Sequence, residues 1–207
     1  MRIDLIAPPY SGHLHPILAI AQQLTAQHDV CVISTPAARA RIEACGLATA
    51  SVLDAHADRL LLSIANPPHA VGHNPVRLRR QLHSALGLMA QLGEALQQRW
   101  HARRPDLVIV DFTLPSAGLA AQTMGIAWWT SMPSPCVIET TDGPPAYFGG
   151  LLPATTPLQR VWHAAARRLT RGFKRGLHLC YRRQMRACGL PAIYRRDRSE
   201  AVYSPRC

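Results

Sequence analysis

The sequence lacks the features that mark membrane-spanning, exported and disulfide-bonded proteins. No apolar run approaches the roughly 20 residues that a transmembrane helix needs. The chain begins with Arg2 and Asp4, followed by two prolines, so we expect no secretory signal peptide. None of the six cysteines forms a C-x-x-C pair, and reduced thiols are therefore expected rather than a disulfide framework or a zinc site. These absences predict a cytoplasmic protein, and 207 residues suffice for one domain with a sizeable core.

Two common nucleotide-binding motifs are also missing, although the chain opens like a nucleotide-binding domain. Residues 2–7 are mainly apolar and predict a short strand that stops at two prolines. A loop over residues 11–16, a helix from Pro16 and a second strand over residues 30–33 complete a βαβ unit. The sequence contains neither G-x-G-x-x-G nor G-x-x-x-x-G-K. The function must therefore be inferred from side chains at the ends of strands.

The rest of the first 130 residues continues the alternation of helices and strands. The further predicted elements are a helix at 37–45, a strand at 47–53, a helix at 78–100, a strand at 106–111, a helix at 115–124 and a strand at 126–130. The continuous apolar centre of residues 106–111 is typical of a parallel strand that is buried on both faces. We therefore predict an α/β fold, a doubly wound parallel sheet with helices on both faces, as a Rossmann-like core over residues 1–130.

Two segments of different composition follow this core. Residues 131–157 are rich in proline and glycine, which predicts a long binding loop or disorder. Residues 158–207 form a basic helical segment to about Cys188, with a short strand at 201–203, and are expected to return to the same domain and to end near an interdomain linker.

The positive charge is concentrated in the last segment. Residues 1–159 carry ten basic and ten acidic residues, whereas residues 160–207 carry thirteen basic residues and two acidic ones. That segment supplies the whole formal excess of +11. Three explanations remain open: a solvated helix face, docking on anionic lipid at the inner face of the membrane, and nucleic-acid binding, for which the chain has no reading motif.

His13 is the first residue to consider for chemistry. It follows the first predicted strand, and open α/β sheets bind their ligands at the carboxyl ends of the strands. The simpler alternative is a loop histidine without a role. His69 and His73 have a spacing that would suit zinc on a helix, but the prolines around them argue against a helix, so we expect no metal site.

The order of motifs resembles a known enzyme family. G-H-L-x-P after the first strand, V-C-V-I-S-T in the second, P-D-L-V-I-V-D at 105–111, the helix–Gly–Ile–strand pattern at 120–129 and the stretch 181–191 are similar to the amino-terminal, acceptor-side half of family-1 glycosyltransferases. These enzymes use nucleotide-sugar donors and have two domains of the GT-B type. The resemblance implies a hexosyltransferase activity with inversion at the anomeric carbon.

The resemblance also implies roles for His13 and Asp111. In the family, the histidine of this motif is the general base, and an aspartate at the end of the fourth strand orients it. A neutral imidazole can accept the proton of an attacking hydroxyl, and a carboxylate fixes its tautomer. Asp111 has an alternative role as the cap of the helix near Pro115.

The family's acceptor pocket draws on loops and helices that correspond to several segments of this chain. The acceptor-binding candidates are Gly12, His73, Leu82, Leu86, Met89, Trp128, Met132, Tyr147 and Phe148. Trp128 and Trp129 are adjacent in a predicted strand, so they should face opposite sides, and at least one should lie in the core. The expected substrates are a small, lipophilic acceptor and a sugar linked to UDP or dTDP, with no cofactor.

The donor-binding half of the family has no counterpart in this sequence. The resemblance therefore implies a truncated gene, a frameshifted product or one chain of a split enzyme, inactive without the donor-binding domain. Two other functions remain open: a non-catalytic, membrane-associated acceptor subunit of a two-chain transferase, and a fragment resembling a nucleotide-sugar epimerase. Nucleic acid is not an expected partner.

Overall fold

Five parallel strands form the centre of the molecule. The computed structural model describes residues 1–66, 74–133, 138–140, 142–148 and 150–205. The strands are β1 (Arg2–Ile6), β2 (Asp29–Ser34), β3 (Ala48–Ser51), β4 (Leu107–Asp111) and β5 (Ala127–Ser131). Their order across the sheet is β3-β2-β1-β4-β5, with all four pairings parallel. The predicted doubly wound α/β fold is confirmed.

Seven helices connect or follow the strands in the described residues. They are α1 (Ser11–Leu24), α2 (Arg39–Ala44), α3 (Ala55–Ala65), α4 (Pro75–Ala102), α5 (Pro115–Thr123), α6 (Pro157–Cys180) and α7 (Arg182–Ala187), and a short 3-10 helix (Pro36–Ala38) precedes α2. Within the described residues, no helix is long and apolar enough to cross a membrane.

The core consists of two apolar layers, one on each face of the sheet. Because successive strand residues point to opposite faces, Val32 packs in one layer and Ile33 in the other. The first layer includes Leu14 and Ile17 of α1, and the second includes Leu96 of α4. Burial on both faces explains why the central strands read as continuous apolar runs.

Three predictions about the helices were wrong. Helix α1 begins at Ser11 rather than Pro16, so His13 lies in its first turn and Pro16 lies inside the helix. The whole of α3 was missed, although Asp54 caps it by accepting a hydrogen bond from the backbone N–H of Ala57 at 2.9 Å. The helical run after residue 158 is interrupted at Tyr181, where α6 ends.

The expected strand at 201–203 does not form. The terminal segment instead makes one antiparallel bridge, between Tyr194 and Glu200, and then returns to β5. There the backbone N–H of Thr130 donates to Ser204 Oγ at 3.1 Å, and the backbone N–H of Ser204 donates to Thr130 Oγ1 at 2.8 Å. Both residues are buried, so this contact fixes the end of the described chain to the edge of the sheet.

Candidate active site

The strand order reverses between β1 and β4, and the candidate site lies there. From β1 the chain proceeds to one side of the sheet through β2 and β3, whereas β4 and β5 lie on the other side. Helices that depart in opposite directions from such a point leave a crevice at the carboxyl ends of the strands. His13 follows β1 and Asp111 ends β4, so the topology alone brings both residues to this crevice.

His13 and Asp111 are in direct contact. The Nδ1 atom of His13 lies 3.1 Å from both carboxylate oxygens of Asp111, although 98 positions separate the residues in the sequence. An ionised carboxylate can only accept hydrogen bonds, so the contact places the imidazole proton on Nδ1 and leaves the lone pair on Nε2. The His13 side chain is 26% exposed and the Asp111 side chain is fully buried. The histidine can therefore reach a ligand, whereas the carboxylate can act only through the histidine.

Asp111 is held in place by the residues that follow it. The backbone N–H of Thr113 donates to Asp111 Oδ1 at 3.0 Å, and the Thr113 hydroxyl donates to the same oxygen. Asp111 therefore closes a turn directly after β4. It does not cap α5, whose N-cap residue is Leu114. Thr113 was not a predicted site residue, and its spacing after the aspartate in D-F-T is the signal that could have identified it.

Two aromatic rings flank the imidazole of His13. The Phe112 ring centroid lies 5.4 Å from that of His13, and the Tyr10 ring lies edge-on at 6.4 Å. The backbone N–H of His13 donates to the carbonyl of Tyr10 at 3.0 Å, which fixes the first turn of α1. Ring contacts and this turn restrict the imidazole to few orientations.

An apolar cavity of about 90 Å³ opens at the same edge of the sheet. Its walls come from the ends of β1, β2 and β3, from α3 and α4, and from the turn after β4. The lining residues are Ile6, Ala7, Pro8, Ile33, Ser34, Thr35, Val52, Leu53, Leu61, Ile64, Ala85, Leu88, Met89, Leu92, Thr113 and Leu114. Because Thr113 also bonds Asp111, the cavity adjoins the His13–Asp111 pair. Such a cavity suits an apolar ligand with a few polar groups.

Polar groups in this cavity are few. Ser34 Oγ donates to the carbonyl of Ala7 at 2.7 Å. The buried hydroxyl of Thr35 has no hydrogen-bond partner among the described residues. An unpaired buried hydroxyl is available to a ligand, and neither residue was a predicted site residue.

Of the acceptor-binding candidates, Met89 lines the cavity. Gly12 lies beside His13 on an exposed position of α1, with open space where a Cβ would stand. Met132 is half-buried just after β5. His73 lies outside the described residues.

The other candidates do not line this cavity. Trp128 is buried in the core against Gly118, whereas its neighbour Trp129 is 47% exposed. Leu86 is buried in α4 but does not line the cavity, and Leu82 faces a groove beside α6 and α7. The remaining two, Tyr147 and Phe148, line a separate groove along α6. Helical spacing predicted which residues lie on one face of a helix, but it could not show whether that face lines the cavity or one of the two grooves.

Sequence reasoning missed the contribution of α3. Leu61 and Ile64 of this helix close one side of the cavity. The available signal was Asp54 as an N-cap before a run with apolar residues at helical spacing. Among the described residues, no group of three or more His, Cys, Asp or Glu side chains is arranged to hold a metal ion.

Solved structures with the same fold belong to glycosyltransferases. The glycosyltransferase of kitacinnamycin aligns with a TM-score of 0.50 at 21% identity, over 64% of this chain and 30% of that one. SsfS6 from Streptomyces sp. SF2575, in complex with thymidine diphosphate, aligns with a TM-score of 0.50 at 20% identity, over 63% of this chain and 38% of that one. The calicheamicin glycosyltransferase CalG4 aligns with a TM-score of 0.50 at 18% identity, over 80% of this chain and 37% of that one. This chain has the fold of one α/β domain of these glycosyltransferases.

The glycosyltransferase fold confirms the predicted resemblance at the level of architecture. No protein-family model and no curated protein sequence matches this chain. The chain spans about a third of the length of the glycosyltransferases that it resembles. About two thirds of each of these glycosyltransferases lie outside the aligned part, so activity and substrates are matters for proposal.

Proposed function

We propose that this chain is the acceptor-binding domain of an inverting glycosyltransferase. The observation that carries the proposal is the 3.1 Å contact between His13 Nδ1 and Asp111, at the reversal point of the sheet and beside an apolar cavity. A histidine that is oriented by a buried carboxylate, with its second nitrogen free, is the arrangement that a general base needs. The fold shared with glycosyltransferases supports the same reading.

In the proposed reaction, His13 activates a hydroxyl of the acceptor. The acceptor oxygen forms a bond to the anomeric carbon of the sugar as its proton passes to His13 Nε2. The bond between the anomeric carbon and the phosphate oxygen breaks, and the nucleoside diphosphate leaves with the bonding electron pair. Attack from the face opposite the leaving group inverts the anomeric configuration. Asp111 orients the imidazole and stabilises the imidazolium that forms, without accepting the proton.

The proposed donor is a sugar linked to dTDP or UDP. SsfS6 was solved with thymidine diphosphate, which supports the dTDP alternative. We propose that a second domain, or a separate chain, supplies the contacts to the donor, because about two thirds of each of these glycosyltransferases lie outside the part that aligns with this chain. The isolated chain is then expected to bind an acceptor without transferring sugar. The apolar lining of the cavity favours a lipophilic acceptor.

The test joins this chain to the donor-binding half of a glycosyltransferase with the same fold. Transfer from dTDP- and UDP-sugars to a panel of lipophilic alcohols would be followed by mass spectrometry. We expect transfer by the fused protein and a decrease in turnover of about 10²-fold or more for His13→Ala, because a positioned general base contributes about that much.

His15→Ala is the matched control, because His15 is exposed on the same turn of α1. It should keep the turnover of the parent fusion. Equal turnover for His13→Ala and the parent would remove His13 from the role of base. Release of a free isomer of the sugar nucleotide, without a glycosylated acceptor, would indicate an epimerase instead.

A further inference from the structure

The apolar side of helix α6 faces away from the rest of the domain. The exposed side carries large apolar residues spaced three, four or seven positions apart, which places them on one face of the helix. They are Leu158, Val161, Trp162, Leu169, Phe173 and Leu179, each between 48 and 80% exposed. We call this set the outer face of α6. A helix on the surface of a globular domain ordinarily buries such a face, so this arrangement requires an explanation.

Ion pairs fix the orientation of α6. On the inner side, Lys174 Nζ lies 2.6 Å from Glu139 Oε1 and also pairs with Glu200, and Arg171 Nε lies 2.9 Å from Glu139 Oε2. Tyr194 donates its hydroxyl proton to Glu139 at 2.9 Å. The polar side of the helix is therefore bonded to two buried carboxylates of the domain, and the apolar side must face outward.

The outer face continues into neighbouring apolar residues. Phe148 packs edge-on against Trp162, with ring centroids 5.7 Å apart. Tyr147 and Phe148 also line an apolar groove that ends at Phe173. Leu152, just before α6, is 83% exposed. The result is a continuous apolar patch on one side of the molecule.

Two arginines border this patch, Arg168 and Arg175, because the helical period places both beside the outer face of α6. Arg160, Arg168 and Arg175 of α6 are exposed, as are the three arginines of α7. Neither helix contains an acidic residue, and after residue 160 the acidic residues are only Asp197 and Glu200. Glu200 is buried against Lys174 on the inner side. Among the described residues, no acidic side chain forms an ion pair with Arg168 or Arg175.

The charge decides between the occupants that could cover the outer face. A second copy of this chain would bring two sets of exposed arginines together, which disfavours a symmetric dimer. A bilayer with anionic lipids offers hydrocarbon for the apolar residues and phosphates for the arginines. Interfacial helices combine a strongly apolar face with Trp, Phe and Leu and a basic polar face, which is the composition of α6.

We propose that α6 lies in the plane of an anionic membrane surface, with its outer face inserted and its bordering arginines at the lipid phosphates. The rest of the domain then lies on the side of α6 away from the membrane, where the ion pairs with Glu139 and Glu200 hold it to the helix. The proposal does not depend on the proposed transferase activity, because it uses neither His13 and Asp111 nor the lining of the cavity. If both hold, the apolar cavity works at a membrane surface, where a lipophilic acceptor concentrates.

The first test measures binding of the full 207-residue chain to vesicles by flotation. Binding is expected for phosphatidylcholine vesicles that contain 30 mol% phosphatidylglycerol, with a steep decrease as salt rises, and little for pure phosphatidylcholine. The doubly substituted Leu169→Gln/Phe173→Gln chain should bind at least ten-fold more weakly. Arg168→Gln/Arg175→Gln should weaken binding roughly thirty-fold, if each basic residue contributes about 1 kcal/mol at the surface.

Matched control residues lie on helices α2 and α3. Leu62 is 57% exposed on α3, and Arg39 and Arg59 are exposed on α2 and α3. Leu62→Gln and Arg39→Gln/Arg59→Gln should leave binding within about two-fold of the parent, with far-ultraviolet circular dichroism showing that all variants are folded.

Three results would overturn the membrane proposal. Equal binding to anionic and zwitterionic vesicles would exclude the electrostatic part. If the control variants lose as much vesicle binding as the outer-face variants, the outer face is not the membrane-binding site. Absence of vesicle binding, together with a dimer in sedimentation velocity that Leu169→Gln/Phe173→Gln dissociates, would assign the outer face to a second copy.

Discussion

At the residue scale, the proposed site depends on which nitrogen of His13 carries the proton. The carboxylate of Asp111 accepts from His13 Nδ1 and from both donors of Thr113, so three hydrogen bonds fix its orientation. The base nitrogen, Nε2, faces away from this turn. The arrangement can be examined in the isolated chain, without a donor-binding partner.

Asp111→Asn tests the tautomer directly. An asparagine amide keeps the shape of the aspartate, but its NH₂ group can donate to Nδ1, which then would carry the lone pair. We expect nitrogen-15 NMR of the chain to show protonated Nδ1 in the parent and protonated Nε2 in the variant. Retention of the Nδ1 tautomer in the variant would contradict the orienting role of Asp111. His15 provides an internal reference signal that should not change.

Ser34 and Thr35 provide a matched pair of adjacent buried hydroxyls with opposite predictions. Ser34→Ala removes a 2.7 Å hydrogen bond to the carbonyl of Ala7, so the free energy of unfolding should decrease by about 1 kcal/mol. Thr35→Val removes a hydroxyl that has no partner among the described residues, so stability should stay equal or increase. Urea denaturation of both variants measures the difference. A loss of about 1 kcal/mol in Thr35→Val would mean that its hydroxyl is bonded in solution.

The site could be predicted only in part at this scale. His13 was identifiable because it follows an apolar strand, and open α/β sheets bind ligands at the carboxyl ends of their strands. Asp111 was identified through the family resemblance. Thr113 and Thr35 were not, because their positions depend on turns that no periodicity records. Leu61 and Ile64 were not predicted, because no helix was predicted over the residues of α3.

At the element scale, α5 approaches β5 as closely as a glycine permits. A Cβ built on Gly118 would lie 2.1 Å from the ring of Trp128, well inside van der Waals contact. Trp128 is 7% exposed in the second core layer and cannot move aside without opening that layer. The sequence predicted that one of the two tryptophans is buried, but it could not show that a glycine provides the space.

Gly118→Ala should therefore destabilise the protein. Alanine is the better helix former by about 1 kcal/mol, but the clash with Trp128 should outweigh this gain and lower the free energy of unfolding by about 1–3 kcal/mol. Gly87→Ala in α4 is the control, because Gly87 is exposed and no atom lies within 4 Å of the added Cβ. It should raise stability by about 0.5–1 kcal/mol. Changes of the same sign in the two variants would contradict the close packing of α5.

At the scale of the whole molecule, one carboxylate connects three segments that follow the sheet. Glu139 belongs to the segment after β5, Arg171 and Lys174 belong to α6, and Tyr194 belongs to the terminal segment. The sequence placed the positive charge in the last segment but could not show which arginines face inward. That depends on two acidic residues, Glu139 and Glu200, whose partners are distant in the sequence. The fold class followed from local patterns, whereas the orientation of α6 is a long-range property.

Acidification should release this connection. Burial alone would raise the pKa of Glu139, but hydrogen bonds from Lys174 and Arg171 outweigh it and hold the pKa below the ordinary value of 4.5. A carboxyl group with a lowered pKa in the folded state stabilises the protein above its unfolded pKa, and this contribution is lost as the pH falls through the folded value. Glu200 is shifted the other way, because burial raises its pKa.

Comparison with Glu139→Gln separates Glu139 from the other groups. At pH 7 the variant should be less stable by about 1–3 kcal/mol, because the neutral glutamine loses the ion pairs with Lys174 and Arg171 and replaces one of the two acceptor oxygens by an NH₂ donor. The difference between parent and variant should decrease as the pH falls below about 4.5 and the parent carboxylate takes up a proton. Urea denaturation between pH 7 and pH 3 measures this difference. A difference that stays constant over this range would show that Glu139 is not ionised in the folded protein, and the inner ion pairs that fix the orientation of α6 would then have to be rejected.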